Sequence, residues 1–561
     1  MRDSGVARSL MPAGNVLARK PLLRPLLALL LLNGLLSFSN WWPTPALIPD
    51  ARLAPEFLWL WLILLGAVRW QGQLSSRQAS LLALAYLLLV LGRYVDVTAP
   101  ALFGRPLNLY WDVPQIPRFL WVGAQELPIW ITLAAIALTG LLLMLLFLGV
   151  RWTIVVTARD AVPYGLRSRR VLTLTACAVV LVAANYAGVR ATWPFVSKPV
   201  IPTYLRQADI LFTAVSPERL AQVLPPSTTI EAALARPRGS ALGALMGRDV
   251  YLMVLESYGA VVYDNPRAQE KLAAARKQFA ADLAGGGHHV VSAFLRAPTF
   301  GGASDLSHLS LLSGIDLTDP LRHDLLLTTQ RPTLVDVFRD SGYRVFGFYS
   351  SLSWDWPERA YYGFDEFVDG TQLDYRGPRL GPWHIPDQFA MARFEQRYPR
   401  PANAPPRFVF MPTITSHFPF SPVPPYQPDW QRILSDQPFD DADVRRALAE
   451  KPDWLDMLPD YIRMIEYTYA WLGGYFRQPP PRETIHVLVG DHQPTANISG
   501  EGASWDVPVH IIARDARLLE GFTRQGFQSG LNPGRAPLGG LHDLTAMLLK
   551  TFGDAQVDPA R

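Results

Sequence analysis

The sequence predicts an α-helical membrane part of five spans, followed by an α/β domain with a mostly parallel central sheet covered by helices on both faces. Two observations predict it. The long apolar stretches of this 561-residue chain crowd into its first 190 residues, so the mean hydropathy of +0.11 averages a membrane part with a soluble one. Beyond them, short apolar runs alternate with helical patterns, and two of those runs end in acids. Tyr251–Leu255 is closed by Glu256-Ser257, and His486–Val489 by Gly490-Asp491-His492. In open α/β sheets ligands gather beyond the carboxyl ends of the strands, so these two ends mark the expected site. A chain of this length is too long for one ordinary domain.

The apolar segments run over Leu22–Trp42, Glu56–Arg69, Ala79–Leu91, Leu127–Val150 and Val171–Val189. The fourth and fifth are long enough to cross a bilayer. The second and third are short and draw on flanking aromatics such as Trp59, Trp61, Trp70 and Tyr86. Four further segments follow the first, which reads as a span rather than a cleaved signal peptide. Basic residues set the orientation. The N-terminal tail carries Arg2, Arg8, Arg19, Lys20 and Arg24, and Arg151, Arg159, Arg167, Arg169 and Arg170 lie between the last two segments. An inside N-terminus with five crossings puts everything after about residue 190 outside the cytoplasm. The expected location is a bacterial inner (cytoplasmic) membrane, with the C-terminal domain in the periplasm or outside the cell.

The loop after the third segment mixes charges with aromatics in Arg93-Tyr-Val-Asp96 and Leu107-Asn-Leu-Tyr-Trp-Asp112. It reads either as an interfacial aromatic belt with a paired Arg and Asp, or as a surface admitting a lipid headgroup. The predicted organisation is a membrane domain over 1–190, a membrane-surface connector over 191–248 and a catalytic domain over 249–561. The connector is rich in proline (Pro194, Pro199, Pro202, Pro217, Pro225, Pro226) and carries an amphipathic helix near Tyr204–Ala214. In the last domain, strands are expected at Val290–Leu295, Tyr343–Tyr349, Arg407–Met411, Ile485–Val489 and Val507–Ile512, with helices such as Arg267–Ala284 and Thr333–Ser341 between them. A net charge of +4 without a dense Lys/Arg block excludes a nucleic-acid footprint. One cysteine, Cys177, excludes internal disulfides and any zinc site built from several thiolates.

Between the two acidic strand ends lies Phe300-Gly-Gly-Ala-Ser304-Asp305. Gly301 and Gly302 let the backbone turn sharply, and Asp305–Leu312 reads as the first turns of a helix. Ser304 either caps that helix or serves as a nucleophile. The two roles overlap, because a helix N-terminus also favours a developing anion. A glutamate, an aspartate, a histidine and a hydroxyl make a hard-to-borderline metal site, and a serine bound to a divalent cation loses its proton more readily.

Taken together, these motifs resemble one family: Leu255-Glu256-Ser257, Gly-Gly-Ala-Ser304 with Leu311-Leu-Ser-Gly314, Thr415-Ser-His417-Phe-Pro-Phe420 and Val489-Gly-Asp491-His492. It is the sulfatase-like branch of the alkaline phosphatase superfamily. Within that branch the chain resembles membrane-anchored phosphoglycerol and phosphoethanolamine transferases of the lipoteichoic acid synthase type, which place five spans ahead of an extracytoplasmic domain. The resemblance implies an alkaline-phosphatase-like fold, with Ser304 as nucleophile and Glu256, Ser304, Asp491 and His492 as ligands of one divalent cation. Mn2+ or Zn2+ is the expected ion, with Mg2+ possible in their place. His417 matches a histidine that contacts the substrate phosphate or headgroup, and Trp356 and Arg359 match the family's phosphate-contacting Trp/Arg segment at a different spacing. His308, one turn after Ser304, reads as a helix-face residue rather than a base. The chain departs from those transferases in carrying serine where they usually carry threonine. Ser304-Asp-Leu-Ser-His308 also lacks the proline and arginine of the motif that is oxidised to formylglycine in classical sulfatases.

The function implied is transfer of a phosphoglycerol or phosphoethanolamine headgroup from a membrane phospholipid donor to an envelope glycan or lipid acceptor through covalent Ser304. The competing expectations are a membrane-anchored phosphodiesterase, phosphatase or sulfatase-like hydrolase that uses water, and a non-catalytic scaffold with a decayed site.

Overall fold

The computed structural model describes residues 23–117, 129–220, 222–350, 352, 356, 359–381, 383–401, 403–479 and 482–553. They form two compact units. The first falls within Met1–Trp41, Ala46–Val97 and Leu127–Ala208, and the second within Trp42–Pro45, Thr98–Glu126 and Asp209–Arg561.

In the first unit, three helices among the described residues are long and apolar enough to cross a membrane: Ser76–Phe103, Ile129–Arg167 and Arg169–Tyr186. Two shorter apolar helices, Leu23–Ser37 and Pro55–Gln71, fall at the first two expected segments. Leu22 and Leu127, where two segments were expected to begin, lie outside the described residues. The third segment is much longer than the short run expected from its apolar residues, because it continues as helix through Arg93 and Asp96. Both charges find partners without a chain break. The Arg93 guanidinium donates to Phe38 O at 2.8 and 3.0 Å and to Lys198 O at 3.2 Å, and Asp96 meets Lys198 Nζ at 3.2 Å. Arg93 and Asp96 thus take these partners, and the paired Arg and Asp of this loop are Arg105 and Asp112, 2.6 Å apart. The expected amphipathic helix spans Ile201–Ala214, with buried Glu56 accepting from the N–H groups of Val200 and Ile201 at its start. A carboxylate there answers the helix's free N–H groups and the positive end of its dipole.

The second unit is built on a nine-stranded sheet of β1 (Asp249–Leu255), β2 (His289–Arg296), β3 (Arg344–Tyr349), β4 (Glu366–Asp369), β5 (Arg407–Pro412), β6 (Thr484–Gly490), β7 (Asp506–Ala513), β8 (Gln528–Ser529) and β9 (Pro537–Gly540). The spatial order is β8-β2-β7-β6-β1-β5-β3-β4, with β9 also on β2. Strands β6-β1-β5-β3-β4 are parallel, whereas β7 runs antiparallel to both β6 and β2. The expected mostly parallel sheet is therefore a mixed one. The chain returns from β6 to β7 with only the one-turn helix Ala496–Ser499 between them, whereas the crossover of a parallel pair is usually a full helix packed on the sheet.

Strand β1 is buried along its whole length and feeds both faces. Val250, Leu252 and Val254 join one core with β2, β7 and the helices Ser304–Ser313 and Asp543–Phe552. Tyr251, Met253 and Leu255 join another with helices Pro266–Gly285 and Leu458–Phe476. Two-sided burial explains why the central strands read as unbroken apolar runs. The short edge strands β4, β8 and β9 carry no such run.

Candidate active site

Strand register brings the two acids together. Leu255 pairs with Gly490 at the carboxyl ends of β1 and β6, so the next residues, Glu256 and Asp491, emerge side by side. Gly490 is required there, because a Cβ at that position would lie 1.9 Å from Tyr258 O. Glu256, Asp491 and His492 are all buried, and one ligand atom from each lies within 4.8 Å of the others.

Ser304 joins them from a different part of the chain. It is the first residue of helix α1 (Ser304–Ser313), and Ala303 occupies the N-cap position with φ 62°. Ser304 therefore does not cap its helix. Its Oγ lies 3.2 Å from Glu256 Oε2, to which it donates, and 3.2 Å from His492 Nε2. The turn before it holds three consecutive residues at positive φ, Gly301, Gly302 and Ala303. Ala303 is the costly one, since a non-glycine residue there is disfavoured by about 1–2 kcal/mol.

Hydrogen bonds orient each group. His492 Nδ1 lies 2.8 Å from Gln493 O and so donates to it, which leaves Nε2 as a lone pair facing Ser304, Glu256 at 3.6 Å and Asp491 at 3.4 Å. Asp491 Oδ1 accepts from the N–H groups of Ser257 and His492 at 2.8 and 2.7 Å. Glu256 Oε1 accepts from Ser257 Oγ, and the Glu256 backbone is held by Thr413 Oγ1 and Ser416 Oγ. Asp491 Oδ2 is buried and takes no hydrogen bond.

This donor set fits a divalent cation. Burial, and then the neighbouring Asp491, push the Glu256 carboxyl well above its ordinary 4.5. Two buried carboxylates with no Arg or Lys paired to either among the described residues, beside an imidazole lone pair and an unsatisfied carboxylate oxygen, call for a positive charge between them. Carboxylate, carboxylate and imidazole suit zinc or manganese.

Of the other expected residues, His417 is the nearest. It is half-buried, donates from Nδ1 to Phe418 O at 2.8 Å, and packs against Trp383 at 4.6 Å. Burial lowers its pKa, and His492 and Asp491 are near enough to act on it electrostatically. Buried Asp387 braces the same loop by accepting from Ile414 N and Thr415 N at 3.0 and 2.9 Å.

Trp356 and Arg359 lie in an aromatic group that adjoins α1. Trp356 packs with Tyr349 at 4.8 Å, Tyr362 at 5.4 Å and Phe367 at 5.8 Å, and the Arg359 guanidinium lies 5.5 Å above the Phe367 ring. Those aromatics meet α1 through Tyr349, 6.0 Å from the His308 ring. Asp355 and Glu358, the acidic neighbours of Arg359 in sequence, lie outside the described residues. His308 is buried between Tyr349 and Phe410, as a helix-face residue would be.

Sequence reasoning missed Asp387 and the orienting carbonyl of Gln493. Neither carries a local signal, since a brace and a main-chain acceptor show only once the loops meet.

Residues 303–512 match the family model described as Sulfatase, which bears out the resemblance read from the motifs. The matched stretch contains Ser304, His417, Asp491 and His492 and leaves out Glu256. No curated protein matches the chain. Among solved structures, it is similar to the lipoteichoic acid synthase LtaP from Listeria monocytogenes, at 13% identity over 59% of this chain and 79% of that one, with a TM-score of 0.35. It is also similar to the phosphoglycerol transferase GacH from Streptococcus pyogenes, at 12% identity over 58% and 82%, with a TM-score of 0.35. A third similarity is to the C-terminal periplasmic domain of the phosphoethanolamine transferase EptC from Campylobacter jejuni, at 13% identity over 54% and 89%, again with a TM-score of 0.35.

Proposed function

We propose that this chain is a membrane-anchored, metal-dependent transferase. It moves a phospholipid-derived headgroup, phosphoglycerol or phosphoethanolamine, onto an envelope glycan or lipid through a covalent intermediate on Ser304. One observation carries the reading: the Ser304 hydroxyl lies 3.2 Å from both Glu256 Oε2 and His492 Nε2, beside the unsatisfied Asp491 Oδ2. Five N-terminal spans, in a bacterial inner membrane with the catalytic domain outside the cytoplasm, complete the proposal.

Glu256, Asp491 and His492, with Ser304, would hold one divalent cation. When bound, it would supply Lewis acidity to the phosphate oxygens and ease deprotonation of the serine. With the His492 Nε2 lone pair given to that cation, the Ser304 hydroxyl proton has Glu256 Oε2, 3.2 Å away, as its acceptor within reach. As the Oγ–P bond forms, the bond from phosphorus to the diacylglycerol oxygen breaks, and diacylglycerol leaves with a proton. An acceptor hydroxyl then displaces Ser304 Oγ, which takes its proton back. His417, with its Nδ1–H committed to Phe418 O, offers Nε2 to the headgroup. The free N–H groups of the first turn of α1, together with its dipole, favour negative charge at Ser304.

Intact-protein mass spectrometry tests this. Incubation with defined phospholipids and metal should add one headgroup phosphodiester to the wild-type protein and nothing to Ser304→Ala. An unchanged mass with every lipid tried would defeat the transferase reading. Release of free headgroup phosphate at full rate without an acceptor would identify a hydrolase instead.

A further inference from the structure

The nucleophile turn does not hold its shape from its own chain segment alone. A stretch far upstream in sequence, residues 98–117, belongs to the same compact unit as the sheet and lies against that turn. Gly301 stands so close to the main chain of Phe103 that a Cβ would fall 2.6 Å from the Phe103 carbonyl oxygen. One residue on, Gly104 at φ 72° receives the ring of buried Phe300, and a Cβ there would lie 2.0 Å from it. Two glycines are thus used to bring these two segments into contact, on either side of Phe300-Gly301. The turn is also supported by Gly301 N donating to Gln493 O at 3.0 Å, by Thr299 Oγ1 donating to Gly302 O at 2.8 Å and by Phe300 packing on Trp505 at 6.0 Å.

The far end of the upstream stretch is anchored separately. Tyr110 Oη donates to Asp324 Oδ2 at 2.6 Å, across 214 positions of sequence. Buried Trp111 meets the His323 ring edge-on at 4.9 Å, and His323 Nδ1 lies 2.9 Å from Asp324 Oδ1. Both partners sit on helix α2 (Pro320–Leu327), the next helix after α1. Between the two anchors, Arg105 pairs with Asp112 through two contacts of 3.1 and 2.6 Å, and Asn108 N donates to Asp112 Oδ2 at 2.7 Å. Asp112, one of the charges that suggested a membrane-border belt, is therefore spent inside this stretch, keeping it compact.

We infer that residues 98–117 form a strap that positions the nucleophile: clamped at Tyr110 and Trp111, the strap presses Phe103 and Gly104 against Phe300 and Gly301 and so holds the strained turn that aims Ser304. This rests on the transferase reading for its kinetic consequence but not for its structural one. Gly104 and Tyr110 are positioning residues, because they touch the turn and its neighbouring helix and not the reacting atoms. A loosened turn would leave metal and lipid binding in place while spoiling the alignment of Oγ for attack. A misplacement of about 1 Å can lower a rate about 100-fold.

The test uses the full-length wild-type protein, Gly104→Ala, which collides with Phe300, and the milder Tyr110→Phe, which removes one hydrogen bond. Amide hydrogen exchange over residues 299–306 should quicken in both variants and more in Gly104→Ala. The kcat for headgroup loading should fall 10–100-fold in Gly104→Ala and several-fold in Tyr110→Phe, with donor KM within twofold and metal content unchanged. Exchange at 299–306 that matches wild type in both variants overturns the strap whatever the activity does. Faster exchange with unchanged kcat overturns its positioning role, and exchange raised equally across the whole domain reduces it to general stabilisation. If the wild-type protein loads no headgroup at all, the transferase reading fails while the exchange data still judge the strap.

Discussion

Acidic side chains gather at both ends of the central strands, Asp249 and Glu395 at the amino ends and Glu256 and Asp491 at the carboxyl ends, and the two ends handle that charge in opposite ways. At the amino ends, fully buried Asp249 is met by Arg400 at 3.5 Å, Arg407 at 3.9 Å and Arg482 at 3.7 Å. Glu395 is met by Arg400 at 2.9 Å and Arg407 at 2.7 Å. Burial still lifts the Asp249 carboxyl above 3.8, but backbone N–H and guanidinium groups pull against that rise. At the carboxyl ends, Glu256 and Asp491 are given hydroxyls, N–H groups and one imidazole. The first cluster is neutralised from within the chain; the second has no Arg or Lys paired to it among the described residues. A cavity of about 530 Å³ opens at the amino ends, lined by His288, Glu395, Arg400 and His486 among others, yet its charged side chains are already paired with one another. Charge left unsatisfied, more than the volume of a hollow, marks where the chemistry belongs.

The contrast breaks most visibly if Asp491 is changed. Asp491→Asn should reduce turnover on the order of 10²–10³-fold, the scale of losing one electrostatic stabiliser, and should lower bound metal measured by elemental analysis. Turnover at wild-type level would mean that the carboxyl ends hold no working metal. At the other end the expected effect is on stability alone. Arg407→Leu leaves Asp249 and Glu395 short of a partner and should cost about 3–5 kcal/mol in denaturant unfolding, with kcat of the folded fraction unchanged. A loss of activity in that folded fraction would mean that the two ends are coupled.

Smaller effects sharpen the comparison. In chelator-treated protein, Glu256→Gln replaces a carboxyl whose charged form burial and Asp491 disfavour, so its midpoint of thermal unfolding should rise by about 2–4 °C. With metal restored, the same variant should lie below wild type. A fall under both conditions would count against an unbalanced carboxylate pair. Asp387 supplies the smallest and most pH-specific effect. Burial raises its carboxyl to about 6 from an ordinary 3.8. A carboxyl raised on folding stabilises fully below its unfolded value, and that contribution disappears as pH climbs through about 6. Asp387→Asn should therefore flatten the pH dependence of the unfolding midpoint between about pH 4 and 6; an unchanged slope would assign that dependence to another group.

Much of the second unit was legible from apolar runs alone. Central strands such as β1 and β6 are buried on both faces, so they announce themselves as Tyr251–Leu255 and Ile485–Val489. Edge strands β4, β8 and β9 are two to four residues long and carry no comparable run, so local pattern could not reveal them. Membrane helices were legible as apolar segments but not in their extent. Apolar count stops at Leu91, whereas the helix runs to Phe103, because whether Arg93 can stay helical depends on carbonyls of Phe38 and Lys198. Trp356 and Arg359 were placed by family pattern at an altered spacing, and the fold gathers them with Tyr349 and Phe367.

By itself the sequence determined the ingredients of this protein: apolar lengths, strand ends closed by acids, a glycine-set serine, and the near absence of cysteine. These are local properties, written in side-chain chemistry and short spacings. Only the tertiary structure decided which ingredients meet. Parallel register sets Glu256 beside Asp491, a turn held at positive φ delivers Ser304 to both, and a stretch from before the last membrane helices closes over that turn. Such meetings depend on backbone hydrogen bonds and on packing between residues hundreds of positions apart, which composition and local spacing do not encode.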